Sequence, residues 1–192
     1  MDLKIGFCRI AALIMVSTAL LAPVRAQVVP SGYEPNHVLW VGAEYSNFSA
    51  SFPYQSGQRL EGLGAFATYR LNYRFGLEGD VRFLQFGGYE GSTESNYLAG
   101  PDVHLFQKGR LRLYGKFLVG DAKIDYPYAI GDANYFALAP GGGANYRLHR
   151  RWLLRIDYEY QIWLNSPGYA NVPNHQLTPN GFDIGVAYRV FR

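Results

Sequence analysis

Titratable side chains recur at alternate positions through much of this 192-residue sequence. Taken segment by segment, one parity collects the acids Glu44, Glu78, Asp80, Asp102, Asp157, Glu159 and Asp183. The same parity collects the bases Arg70, Arg82, Arg112, Lys116, Arg147, Arg155 and Arg189. Seven acids against seven bases is the balance expected where charges must pair in a confined interior. A face turned to water has no such requirement, and it would carry more than the four lysines found here. The chemistry these residues offer is mutual neutralisation in ion pairs.

Reactive constellations are few. His37, His104, His149 and His175 are the only imidazoles. His104 shares a face with Asp102, and an Asp–His pair can orient a general base. No Ser or Thr stands beside it at a matching height, so His104 reads as part of the polar network. His149 lies beside Arg150 and Arg151 and reads as a solvated turn residue. Metal binding needs clustered His, Cys or carboxylates. Asp121, Asp125 and Asp132 fall in one long connection and read as a solvated acidic loop. Gly141-Gly142-Gly143 lacks the Lys-Ser/Thr of a phosphate loop, and reads as room left for large neighbours. No catalytic residue, metal site or cofactor is expected.

The elements that hold these residues are strands. Leu154, Ile156, Tyr158, Tyr160 and Ile162 share one face, and Arg155, Asp157, Glu159 and Gln161 the other. A two-residue period is the period of a strand. The same reading gives eight strands, at 37–49, 58–71, 75–86, 96–106, 110–120, 135–148, 152–165 and 181–191. Three connections, 72–74, 107–109 and 149–151, are tight. The other four, 50–57, 87–95, 121–134 and 166–180, are longer and rich in Gly, Pro, Asn and Ser. This alternation of short and long connections predicts an all-β, eight-stranded, antiparallel up-and-down barrel. There is also a faint internal repeat. Tyr69-Arg70-Leu71, Arg74-Phe75, Leu77 and Asp80 return in order as Tyr146-Arg147-Leu148, Arg151-Trp152, Leu154 and Asp157. Pro101 and Pro140 fall inside strands, where a missing N–H breaks the ladder, and call for bulges beside Gly100 and Gly141–Gly143.

The first 26 residues read as a secretory leader. Lys4 and Arg9 precede an apolar run from Ile10 to Ala22, Pro23 ends it, and Val24-Arg25-Ala26 supplies a cleavage site. The run is shorter than the roughly 20 residues of a spanning helix. The lone Cys8 leaves with the leader. Residues 27–36 read as a short extension and 37–192 as the barrel. Cleavage removes Lys4, Arg9, Arg25 and Asp2, so the net charge falls from +3 to +1. Without a basic stripe, nucleic acid is excluded as a partner. The parity opposite the charges reads Leu39, Val41, Ala43 and Tyr45, then Leu63, Ala65, Ala67 and Tyr69, and so on to Phe182, Ile184, Val186 and Tyr188. Only Arg59 and Glu61 share it, at the long-loop end. Tyr69, Tyr146 and Tyr188 lie at the tight-turn end, where an interfacial aromatic girdle belongs. The apolar face is thus assigned to lipid and the charged face to the lumen.

The chain resembles the small eight-stranded bacterial outer-membrane barrels, the OmpA transmembrane domain and OmpX among them. The most specific element is the C-terminal strand, with Asp183, Gly185, Tyr188 and Val190 spaced like the signal read by the outer-membrane assembly machinery. The strand runs on to Phe191 and Arg192, where many members stop on an aromatic residue. The resemblance implies an outer-membrane protein with a filled lumen, tight turns in the periplasm and long loops outside the cell. It implies membrane lipid and the assembly machinery as partners, a monomer, and a structural or surface-interaction role. A minor pore and a soluble lipocalin-like ligand-binding barrel are the rival readings. On the long connections, Tyr126, Tyr128, Tyr169 and His175 are the candidate contacts for an extracellular partner.

Overall fold

The computed structural model describes residues 36–52, 55–86, 93–125, 132–166 and 177–191. Residues 1–35, which include the expected leader, lie outside that set, as do Tyr126, Tyr128, Tyr169 and His175. No described residue is helical. The strands are β1 (Val38–Phe52), β2 (Gln55–Arg70), β3 (Phe75–Phe86), β4 (Thr93–Lys108), β5 (Leu111–Asp125), β6 (Asp132–Arg147), β7 (Trp152–Tyr160), β8 (Ile162–Leu164) and β9 (Asn180–Phe191). β7 and β8 are two parts of one stave, interrupted at Gln161, whose N–H donates to the Pro179 carbonyl at 2.7 Å.

Pairing is antiparallel throughout, in the order β5-β4-β3-β2-β1-β9-β7-β6, and β5 pairs with β6 to close the ring. The result is an eight-stave up-and-down barrel. Closure leaves no unpaired edge, which is the condition for strands to lie in hydrocarbon. The outer face carries Leu63, Leu77, Phe83, Tyr97, Phe117, Phe136, Ile156, Phe182 and Ile184, all exposed. The inner face carries Glu44, Glu78, Asp80, Arg82, Arg155, Asp157, Glu159 and Asp183, all buried. This is the inverse of a water-soluble barrel, whose apolar side chains are inside.

The tight turns sit at one end. Asn72 holds the first: its side-chain oxygen accepts from the N–H groups of Arg74 and Phe75 at 2.8 and 2.9 Å. Such local acceptance by Asn takes the place of a backbone turn bond. The hairpin between β4 and β5 turns through Gly109, whose φ of +60° only Gly adopts without strain. Beside these turns lies an aromatic band, with Trp152 edge-on to Tyr188 at 5.1 Å and Tyr69 against Phe191 at 6.4 Å.

Two expectations are corrected. The long connections are shorter than the sequence reading allows. β1 and β2 leave only residues 53–54 between them, β4 begins at Thr93, and β5 and β6 pair to Asp125↔Asp132. About 9–11 residues suffice for a strand to cross the membrane, so these 15- and 16-residue strands project beyond it. There the ladder continues on polar alternation, with Lys123 paired to Asp125 at 2.7 Å. Nor are the prolines carried by bulges. β4 keeps one register to β5 on both sides of Pro101, and Gly100 and Pro101 are left without ladder partners on that side. Pro140 pairs with Phe117 and falls where the neighbouring stave is interrupted between β7 and β8. The bulge in β4 lies instead between His104 and Phe106, and leaves Leu105 and Phe106 both exposed.

An outer face this apolar requires amphiphile. The purified chain folds in detergent micelles or lipid, and the unheated protein runs ahead of the boiled form on an SDS gel. A monodisperse, β-rich preparation free of detergent would contradict the assignment of the outer face to lipid.

Candidate functional site

The lumen holds one charge network. β3 and β7 are four staves apart by either route round the ring, so they face each other across its diameter. Glu78 on β3 accepts both arms of the Arg155 guanidinium from β7, at 2.8 and 2.6 Å. Arg82 on β3 donates to Glu159 on β7 at 2.5 Å. Each arginine also donates through Nε to an aspartate two residues away on its own strand, Arg82 to Asp80 and Arg155 to Asp157, both at 3.0 Å. Lys116 enters from β5 and lies 2.8 Å from Asp157, 2.9 Å from Glu159 and 3.5 Å from Glu78. Tyr114 donates to Asp157 at 2.7 Å, and Thr68 to Glu78 at 3.0 Å. Nearer the tight turns, Arg70 pairs with Asp102.

Aromatic faces cover the guanidinium groups. Arg155 lies 4.2 Å from the Phe66 ring centroid and 5.1 Å from that of Tyr114, and Arg82 4.9 Å from that of Phe48. Such stacking suits arginine, whose planar cation is weakly hydrated. Small residues make the space. A Cβ at Gly64 would come within 2.6 Å of Arg82 Cγ, and one at Gly141 within 3.1 Å of Lys116 Cε. Gly141 thus leaves room for a large neighbour.

Apolar clusters flank the charges. On the long-loop side stand Phe48, Ala50, Leu60 and Leu84, with a second group of Leu98, Leu118, Ala122, Ile124, Ala137, Ala139, Trp163 and Leu177. Toward the tight turns are Val38, Trp40, Phe66, Leu153 and Ala187. Tyr135 stacks on Trp163 at 5.7 Å, and the Trp163 indole donates to Gln161, which donates to Glu159. The apolar layer is thereby hydrogen-bonded to the charged one.

The balance of seven acids and seven bases does not hold inside the lumen. Arg147 and Arg189 lie half-exposed at the tight-turn mouth, because their strands end there. Arg112 is buried beside that mouth. Glu94, expected in a connection, is fully buried and accepts from Asn96 at 2.8 Å. Its period-two spacing from Asn96 is the signal that would have placed it on β4. Among the described residues the buried charges are therefore eight acids and five bases: Glu44, Glu78, Asp80, Glu94, Asp102, Asp157, Glu159 and Asp183 against Arg70, Arg82, Arg112, Lys116 and Arg155. Asp183 and Glu44 approach Arg82 only to 3.6 and 3.9 Å and accept no hydrogen bond. Of the other C-terminal positions, Gly185 is buried opposite Glu44, Tyr188 joins the aromatic band, and Val190 is exposed where the register to β1 shifts. His104 is half-buried, edge-on to Tyr73 at 5.9 Å, with no hydroxyl nucleophile bonded to it among the described residues. Among those residues no group of His, Cys, Asp and Glu could hold a metal ion.

These pairs set a stability test. Glu78→Ala deprives Arg155 of its bidentate partner and leaves it Asp157, and Arg82→Ala leaves Glu159 to Lys116 and Gln161. The cost is up to about 3–5 kcal/mol, the figure for a buried charge left wholly uncompensated, read by urea unfolding in micelles. Removing both partners together, Glu78→Met with Arg155→Met, costs less than Glu78→Ala alone, because no charge is left unpaired. A double variant weaker than the single one would show that the pair is a net source of stability.

Comparison with known proteins agrees with this geometry. The family model described as outer membrane protein beta-barrel domain matches residues 10–189. No protein with a curated description matches the sequence. Among solved structures, Ail, the attachment invasion locus protein of Yersinia pestis, is 17% identical with a TM-score of 0.56, over 81% of this chain and 99% of that one. Neisserial surface protein A is 15% identical with a TM-score of 0.58, over 79% and 96%. OprG from Pseudomonas aeruginosa is 13% identical with a TM-score of 0.53, over 84% and 99%. At such identities the likeness is one of fold. The family model spans nearly the whole barrel, and this chain belongs to the outer-membrane protein beta-barrel domain family.

Proposed function

We propose that this outer-membrane barrel is a monomeric surface protein that acts through its extracellular connections and conducts little or nothing. The observation that carries the reading is the filled lumen. Arg82, Arg155, Lys116 and their carboxylate partners meet across the axis, and apolar layers flank them. Eight staves enclose just enough width for side chains, so the barrel serves as a support, and contact falls to what it displays.

The tight turns offer little contact area. The connections at 126–131 and 167–176 carry Tyr126, Tyr128, Tyr169 and His175, and tyrosine supplies contact area at low entropic cost. The neck of the second connection is tied. The Ser166 hydroxyl donates to the Trp163 carbonyl at 2.9 Å and accepts from the Leu177 N–H at 2.7 Å. The leader is cleaved after Ala26 on export. Asp183, Gly185, Tyr188 and Val190 present β9 to the assembly machinery. No catalytic activity is assigned.

Three measurements test the reading. Replacing 126–131 and 167–176 with short Gly-Ser turns, with Asp125, Asp132, Ser166 and Leu177 retained, leaves a heat-modifiable barrel and abolishes binding to cells or matrix. Failure to fold would make these segments part of the barrel itself. In planar bilayers the wild type shows small or no conductance, and a large stable open channel would favour the pore.

A further inference from the structure

We propose that the periplasmic mouth of the barrel is a binding site for a phosphate-type oxyanion. The charges of the chain are sorted by height. Residues 71–75, 106–113, 146–152 and 188–191 form the tight-turn end, and they contain Arg74, Lys108, Arg110, Arg112, Arg147, Arg150, Arg151 and Arg189 with no Asp or Glu. In outer-membrane barrels this end faces the periplasm. On the described long-loop ends acids outnumber bases, with Glu61, Glu94, Asp121, Asp125 and Asp132 against Arg59 and Lys123. The lumen likewise has more acids than bases, so the surplus of positive charge is gathered at one mouth.

That mouth contains a pocket of about 360 Å³, lined by Arg110, Arg147, Leu148, His149, Arg150 and Arg189. Four arginines share its wall. Among the described residues Arg110, Arg150 and Arg189 make no ion pair, unlike the lumenal arginines Arg82 and Arg155. The backbone that carries them is pinned. The Arg147 N–H donates to the Arg110 carbonyl at 2.9 Å, and the Arg189 N–H to the Arg151 carbonyl at 3.0 Å. Arg151 is held aside by Tyr188 at 2.9 Å. The cations are thus grouped by the fold despite their repulsion, and a multiply charged oxyanion relieves it. Arginine meets phosphate oxygens bidentately.

Phosphate of this kind comes from two sources, a phospholipid headgroup of the inner leaflet or a soluble phosphate-bearing solute. The aromatic band formed by Trp152, Tyr188, Tyr69 and Phe191 marks the interface just beside the pocket. The exposed Leu148 supplies an apolar wall.

The test uses the folded chain in zwitterionic, phosphate-free micelles. Calorimetric titration with pyrophosphate gives saturable one-site binding to the wild type. Arg150→Gln with Arg189→Gln weakens it at least tenfold, while Arg59→Gln at the opposite end leaves it unchanged. Heat-modifiable migration shows that each variant is folded, and Arg150→Gln alone, on an exposed turn, repeats the measurement if the double variant is not. Native mass spectrometry of micelles doped with phosphatidylglycerol separates the sources. One retained lipid on the wild type and none on the variant assigns the headgroup, and pyrophosphate binding without lipid retention assigns a soluble oxyanion. Binding of neither probe, or equal loss on Arg59→Gln, would overturn the proposal.

Discussion

A lumen bounded by eight staves is too narrow to hydrate the charges it contains. This constraint governs the rest of the structure. The charged side chains of β3 and β7 therefore satisfy one another across the diameter, with Lys116 inserted among their carboxylates from β5. Removing water from a charge costs several kcal/mol, and only well-placed partners repay it. The bidentate Glu78–Arg155 contact and the Nε bonds of both arginines are such placements. The inward glycines follow from the same constraint, because Arg82 and Lys116 occupy space that a Cβ at Gly64 or Gly141 would need.

The outer face obeys a different solvent. Lipid offers no hydrogen bonds, so the closed ladder must satisfy the backbone by itself, and the outward side chains need only be apolar. Between the two solvents lies a single layer of strand, and side chains one position apart enter opposite worlds. Leu77 is exposed to lipid while Glu78 is buried among cations. Polar groups return to the outer face where the strands leave the membrane. Arg59, Asn47 and Glu61 bond to one another there at 3.2 and 3.0 Å.

Strict alternation made the staves, their number and their faces legible. Leu154 to Ile162 is the plainest case, and the alternate lengths of the connections implied the order. What was not legible depends on height along the axis, which a period of two does not encode. Arg147 and Arg189 share a parity with Arg155 and Asp183, yet they stand at the mouth because their strands end there. Glu94 is hidden for the converse reason: β4 continues past the membrane, and a polar Thr-Glu-Ser-Asn run reads as a connection. The inward apolar residues Trp40, Phe48, Phe66 and Trp163 break the rule that the lumen is polar. They belong to the layers that flank the charges. The prolines need no bulge because a closed barrel can leave one or two ladder positions open without shifting register.

The internal repeat bears on how the barrel finds its register. β3 and β7 are equivalent positions of two similar hairpins, 77 residues apart. Identical inward residues would set like charges face to face. Instead β3 reads Glu78, Asp80, Arg82 and β7 reads Arg155, Asp157, Glu159, so the outer members are exchanged and the aspartates are bridged within their own strands. A slip by one residue would turn every charge into lipid, and the apolar pattern forbids it. A slip by two keeps the faces, so the apolar pattern does not oppose it and the charges do. Moved one way, Glu78 meets Asp157 and Asp80 meets Glu159, acid against acid. Moved the other way, Asp80 meets Arg155 and Arg82 meets Asp157, but Glu78 meets Leu153 and Glu159 meets Leu84, a carboxylate against hydrocarbon. The network thus discriminates where hydrophobic alternation is blind, and specificity of register joins neutralisation as a reason for a small barrel to carry so many buried charges.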